Sequence, residues 1–150
     1  MSDLQHSFLF QEGLWLANGR YYDACGVALP CEGQTRITHA EGLWINEGFM
    51  RVLADQPVEF SNRYEIVPFE EGQEITTWHS LNPDLENLHG QFIIVFDAII
   101  SPWQSESGEY WGSEFLLQIN DTLYHNRGYA CRGNTKLSSW AVELTYEPWA

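Results

Sequence analysis

Apolar residues in this chain recur at every second position in short runs, and turn residues cut those runs at intervals of about ten. No window of helical length carries an apolar stripe at 3.6 spacing. The pattern predicts strands at 13–22, 32–40, 43–53, 58–67, 73–81, 91–100, 109–119, 122–130 and 136–146. Between them lie Pro30, Gly42, Pro57, Gly72, Gly108 and Gly133-Asn134, all residues that favour turns. Asn120-Asp121 reads as a two-residue turn joining "FLLQI" to "TLYHN", since both residues tolerate the left-handed region. Helix is confined to one or two short turns. One is a capping box at residues 2–5, the other a segment starting near Pro83 and ended by Gly90.

Eight or nine short antiparallel strands expose unpaired edges unless the sheet closes on itself. The expected architecture is therefore all-β, a closed antiparallel up-and-down barrel of 8–9 strands, formed by residues 1–150 as a single domain. The stretch "EGLW" occurs twice, ending at Trp15 and at Trp44, and each copy has a glycine four residues after the tryptophan, Gly19 and Gly48. In a strand these positions share a face. A large ring followed on the same face by a vacancy suits a strand bending round a barrel corner, with the ring covering the end of the core.

Gly13-Leu14-Trp15, opening the first strand after a short N-terminal segment, resembles the G-x-W start of the lipocalins and related calycin barrels, a group that includes barrels like the fatty-acid-binding proteins. The resemblance implies an eight-stranded barrel whose tryptophan plugs one end, while the other end admits an apolar ligand. It also implies an arginine stacked on that tryptophan, for which Arg127 and Arg132 are the candidates. The chain departs from the family where "SNRY" at 61–64 stands in place of a T-D-Y element. A second departure is "LSSWAVELTYEPWA", which reads as strand where secreted lipocalins have a helix.

The formal net charge of −14 repels phosphate backbones and anionic bilayers, so neither nucleic acid nor membrane is an expected partner. No apolar run approaches the ~20 residues of a membrane span. "MSDLQHSFLF" lacks the basic start and long apolar middle of a secretory signal, which points to a cytoplasmic protein. Cys25, Cys31 and Cys131 fit free thiols in a reducing compartment. Seven Trp, seven Tyr and eight Phe suit both strands and the walls of a ligand pocket.

No nucleophile elbow, phosphate loop, dinucleotide fingerprint or metal-ligand spacing is present, so no catalytic residue, metal or cofactor is assigned. The candidate ligand-binding residues come from polar groups set among aromatics. In "FSNRYEIVPF", Phe60, Asn62, Tyr64 and Ile66 share one face and read as interior, with Asn62 and Tyr64 as its polar points. Trp78 and His79 face opposite ways, so only one of them points inward. In "GEYWGSEFLLQI" the natural core face is Trp111, Phe115, Leu117 and Ile119. Glu114 comes inside only if a bulge at Gly112 shifts the register, and would then be the best general base in the chain. Tyr124 and Arg127 could reach a cavity mouth, where the arginine would bind a ligand carboxylate or, the more favoured outcome on so acidic a surface, pair with a carboxylate of the protein. Finally, "QFIIVFDAII" is apolar on both faces. Either the Phe8/Phe10 segment or a second subunit is expected to cover it, the latter giving a homodimer through the outer face of strand 91–100.

The favoured reading is a barrel holding a small apolar or amphipathic molecule. Beside it stand an isomerase, cyclase or lyase on the same scaffold, and a filled barrel acting through its surface.

Overall fold

A computed structural model describes residues 5–81 and 86–148, which form ten antiparallel strands. These are β1 (Gly13–Tyr22), β2 (Ala28–Ala40), β3 (Leu43–Val52), β4 (Val58–Ile66), β5 (Ile75–Ser80), β6 (Leu88–Val95), β7 (Ala98–Ser105), β8 (Tyr110–Asn120), β9 (Leu123–Arg132) and β10 (Thr135–Glu147). Each strand pairs with its neighbours in sequence, and β1 closes the ring against β10. The expected all-β closed up-and-down barrel is what forms, with ten strands in place of eight or nine.

The additional strand comes from "QFIIVFDAII". Val95 pairs with Ala98 across a two-residue turn at Phe96-Asp97, so the run is a hairpin and not one strand. Its apolar residues on both faces belong to two strands, with Phe92 and Ile99 buried in the core. Phe96 sits at φ 50°, where glycine is favoured, which is why turn chemistry gives no warning of the hairpin. The outer face expected to carry a homodimer is therefore shared between two paired strands, β6 and β7, with Val95 and Phe96 exposed. The β8–β9 turn also shifts by one residue to Asp121-Thr122, where the Asn120 side chain accepts from the Thr122 amide at 2.9 Å.

Among the described residues there is no helix, and none is long and apolar enough to cross a membrane. The capping box at residues 2–5 and the start of the segment from Pro83 lie outside the described residues, apart from Gln5. The end of that segment, 88–90, is strand in β6.

The N-terminal segment closes one end of the barrel. Residues 7–11 form a single turn, Gln11 N–H donating to the Ser7 carbonyl. The turn drives Phe8 against Trp15 and Tyr124, and Phe10 against Trp44 and Phe69. Both tryptophans of the repeated "EGLW" therefore face the interior at this end, each meeting one phenylalanine of the cap. The glycines four residues later serve close backbone approach. A Cβ on Gly19 would run into the Ala141 carbonyl, and one on Gly48 into the Gln34 carbonyl. Among the described residues no arginine stacks on Trp15, whose ring neighbours are Phe8, Tyr124 and Tyr146. Arg132 instead lies over Tyr110, where β8 begins at the far end.

Polar groups fix the cap. His6 Nε2 donates to the Phe96 carbonyl at 2.8 Å, leaving Nδ1 to accept from the Tyr124 hydroxyl at 2.7 Å. The same Tyr124 oxygen accepts from the Ser7 and Phe8 amides at 3.2 and 3.3 Å. Burial holds the His6 imidazole below its ordinary pKa, consistent with this neutral form.

Candidate functional site

At the capped end Phe8, Leu9, Trp15 and Tyr124 join the packed core. Farther along, where cross-strand neighbours are small or polar, the interior opens into a hollow of about 290 Å³, roughly the volume of ten waters. Inward positions follow from register. Asn46 pairs with Tyr64, and Gly48 with Asn62. Leu116 pairs with Asn126, and Glu114 with Gly128, itself opposite Trp140. These side chains converge on the hollow together with apolar Tyr21, Met50, Phe60 and Val142. A second space of about 130 Å³ continues from Tyr64, Glu114 and Trp140 toward Trp78, Phe92 and Ser101. Larger concavities of about 500 and 940 Å³ are grooves lined mainly by outward-facing side chains.

Glu114 is the chemical centre of the hollow. It lies inside with an unbroken β8–β9 register from Tyr110 through Gln118, so no bulge at Gly112 is needed. The expectation for β8 is thus reversed. Trp111, Phe115 and Ile119 face outward, with Phe115 40% exposed, while Leu116 and Gln118 are buried. Burial raises the Glu114 pKa, and hydrogen bonds from Trp140 and Asn126 pull it back in part. The indole N–H of Trp140 donates to Glu114 Oε2 at 3.1 Å, and Asn126 Nδ2 also donates to the Phe115 carbonyl at 3.1 Å. Tyr64 is raised well above the ordinary phenol range, first by burial and then by the charge of Glu114. Both groups lie deep in the protein yet keep some surface toward the hollow.

Of the residues singled out from sequence, Asn62, Tyr64, Trp78 and Glu114 line these connected spaces. Trp78 is 4% exposed, and its indole N–H donates to Ser101 Oγ at 2.9 Å. The other three lie elsewhere. His79 is on the outer face, its side chain 60% exposed and 3.0 Å from Glu65. Arg127 also points outward, donating to the Asn126 carbonyl at 2.9 Å, so it cannot serve a ligand carboxylate in the hollow. Tyr124 belongs to the cap, where its hydroxyl is saturated by His6, Ser7 and Phe8.

Asn46, Asn126 and Trp140 also line the hollow and are not among the residues singled out from sequence. Each was accessible by parity: Asn46 lies midway between Trp44 and Gly48, Asn126 between Tyr124 and Gly128, and Trp140 in step with Val142 and Leu144. Among the described residues no group of three or more His, Cys, Asp or Glu could hold a metal ion.

No family sequence model matches this chain, and no curated protein matches it in sequence. Among solved structures it is similar to the S-type phycobiliprotein lyase CPES from Guillardia theta. That match has a TM-score of 0.65 and 7% identity, over 95% of this chain and 92% of the other. The N-terminal dehydratase from the difficidin assembly line matches at 7% identity over 95% of this chain and 80% of the other, with a TM-score of 0.28 that carries no argument. The likeness to the lyase is one of fold, as is the resemblance carried by Gly13-Leu14-Trp15.

Proposed function

We propose that this protein binds a small apolar or amphipathic molecule inside its barrel. The hollow itself carries the reading. An interior of this kind would collapse or fill if packing were its only purpose, since empty apolar space forfeits contacts on every wall. Here the wall is apolar with a few convergent polar groups, the usual constitution of a small-molecule site. The interior space supports this reading over that of a filled barrel acting only through its surface.

Tryptophan emission tests the proposal, because Trp140 and Trp78 border the space. A compact neutral ligand such as 4-phenylbutanol should change that emission saturably, and Asn62→Phe, which fills the hollow, should abolish the change. A flat titration in the parent, together with purified protein that releases no small molecule on denaturation, would refute the reading.

A second reading is acid–base catalysis on the bound molecule, favoured by one observation: a buried carboxyl of raised pKa beside a phenol in the same space. The lyase that shares the fold is compatible with it. In that case Glu114→Gln would still bind the molecule but would not turn it over. Equal turnover by the variant would exclude it.

A further inference from the structure

We infer that the ligand is a small organic amine, an apolar or aromatic body bearing one protonated nitrogen that meets the Glu114 carboxyl. This rests on the hollow being a binding site and goes on to specify what it takes. The charge inventory is the main argument. Among the described residues no Lys, Arg or His lines either interior space, and Glu114 is the one carboxyl there. Arg51, Arg63 and Arg132 are engaged outside by Glu32, Glu59, Glu47, Glu65 and Glu109. A carboxylate or phosphate ligand would thus be desolvated beside a carboxyl with no cation to meet it. An ammonium finds a counter-ion, and the rings of Tyr21, Phe60, Tyr64 and Trp140 offer it π-faces. The Trp140 indole fixes one carboxyl oxygen at 3.1 Å and so orients the group in advance. The net charge of −14 also draws cations toward the protein and turns anions away.

Binding then has a proton signature. The groups that line these spaces with Glu114 include Ser101 from β7, Asn126 from β9, Trp140 from β10, Tyr64 from β4 and Tyr21 from β1, and only the two tyrosines among them titrate; Arg127 and Lys136 border the outer groove that Glu114 also reaches. Burial disfavours the empty carboxylate, so an entering ammonium displaces a proton from the carboxyl to solvent wherever the empty site is protonated. Affinity for the amine rises with pH through that ionisation.

The test uses three compounds with one body: 4-phenylbutylamine, 4-phenylbutanol and 4-phenylbutyrate, titrated calorimetrically into the full chain. At about pH 8 the amine should bind at least tenfold tighter than the alcohol, and the carboxylate at least tenfold weaker. In Glu114→Gln the ratio of amine to alcohol should fall below twofold. Independently of any variant, the parent should release protons on binding amine at lower pH, seen in buffers of different ionisation enthalpy. Butyrate binding as tightly as the amine, or an amine preference that survives Glu114→Gln, would overturn the assignment. An alcohol preferred at every pH would replace it with a neutral acceptor held by the protonated carboxyl. Failure of all three compounds to bind would overturn the binding site itself along with its ligand class.

Discussion

Removing a single oxygen atom, in Tyr124→Phe, tests how the capped end is held. The phenol accepts two backbone amides, from Ser7 at 3.2 Å and Phe8 at 3.3 Å, and donates to His6 at 2.7 Å. Ser7, Phe8 and Tyr124 are almost fully buried, so water cannot replace the oxygen while the cap is seated. A buried donor left without a partner costs about 1–3 kcal/mol, and these bonds are long, so two amides together give about 2–4 kcal/mol. The alternative is for the cap to lift. That would expose Phe8 and Leu9, whose burial contributes about 3–6 kcal/mol between them. The cap should therefore stay seated in the variant and bear the strain. Expected are a loss of about 2–4 kcal/mol in urea denaturation and a fall of roughly 5–15 °C in Tm. Hydrogen exchange at the Ser7, Phe8 and Gln11 amides should quicken selectively. A variant within about 0.5 kcal/mol of the parent, with those amides unchanged, would show that the phenol does not hold the segment.

Glu114 has a folded-state pKa above its unfolded value near 4.5, so its neutral form contributes stability fully present below that value and lost as pH rises through the folded pKa. Glu114→Gln keeps a neutral side chain throughout, and its gain over the parent should grow with pH across that window by up to about 1.4 kcal/mol per unit; a gap independent of pH in paired denaturation curves would contradict this. His6 runs the other way: its pKa is depressed, so its contribution is present above the unfolded value of 6.5 and lost as pH falls through the folded one, and His6→Ala should flatten the acid limb of the parent's stability profile. Phe96→Gly should stabilise by up to about 1 kcal/mol, measured by Tm, because glycine relieves the positive φ at a side chain already 63% exposed. Gly48→Ala should destabilise by about 3 kcal/mol in the same assay, since its new methyl meets the Gln34 carbonyl of a paired strand and not a side chain that can turn away.

The two-residue period carried most of the architecture. It separated the faces of 58–67 correctly, sending Phe60, Asn62, Tyr64 and Ile66 inward, and it placed Trp15 with Gly19 and Trp44 with Gly48. Period alone says which residues share a face, and hydrophobicity decides which face is inside. That second step failed in β8, because the interior there holds a carboxyl while Trp111 and Phe115 sit outside, Trp111 donating to the Gly133 carbonyl at 2.9 Å. Direction in β8 is set by its neighbours: Ser101 and Gly128 face inward, and Glu114 is their register partner. The hairpin inside 91–100 was hidden for a different reason. Its turn is written Phe-Asp, and the closed ladder on both sides holds Phe96 in a conformation that its side chain disfavours. The cap was legible only as Phe8 and Phe10. Its anchor on Tyr124 joins residues more than a hundred positions apart, a relation that no local pattern encodes.

Three inward tryptophans pack against glycines of adjacent strands: Trp78 against Gly90, Trp103 against Gly112 and Trp140 against Gly128. Each ring shields a stretch of ladder that has no side chain of its own. On this half of the wall, ring and vacancy are interlocked, and neither can change alone. A methyl added at Gly128 strikes the Trp140 indole, and a smaller residue at 140 bares the Gly128 backbone and releases Glu114 Oε2. Selection for a wider or narrower interior would have to change such pairs in concert, or else work through Ala17, Met50 and Phe60, whose side chains are not among the nearest atoms that a Cβ on a neighbouring glycine would strike. Divergent barrels of this design should therefore differ first at those three positions and last along the tryptophan–glycine belt.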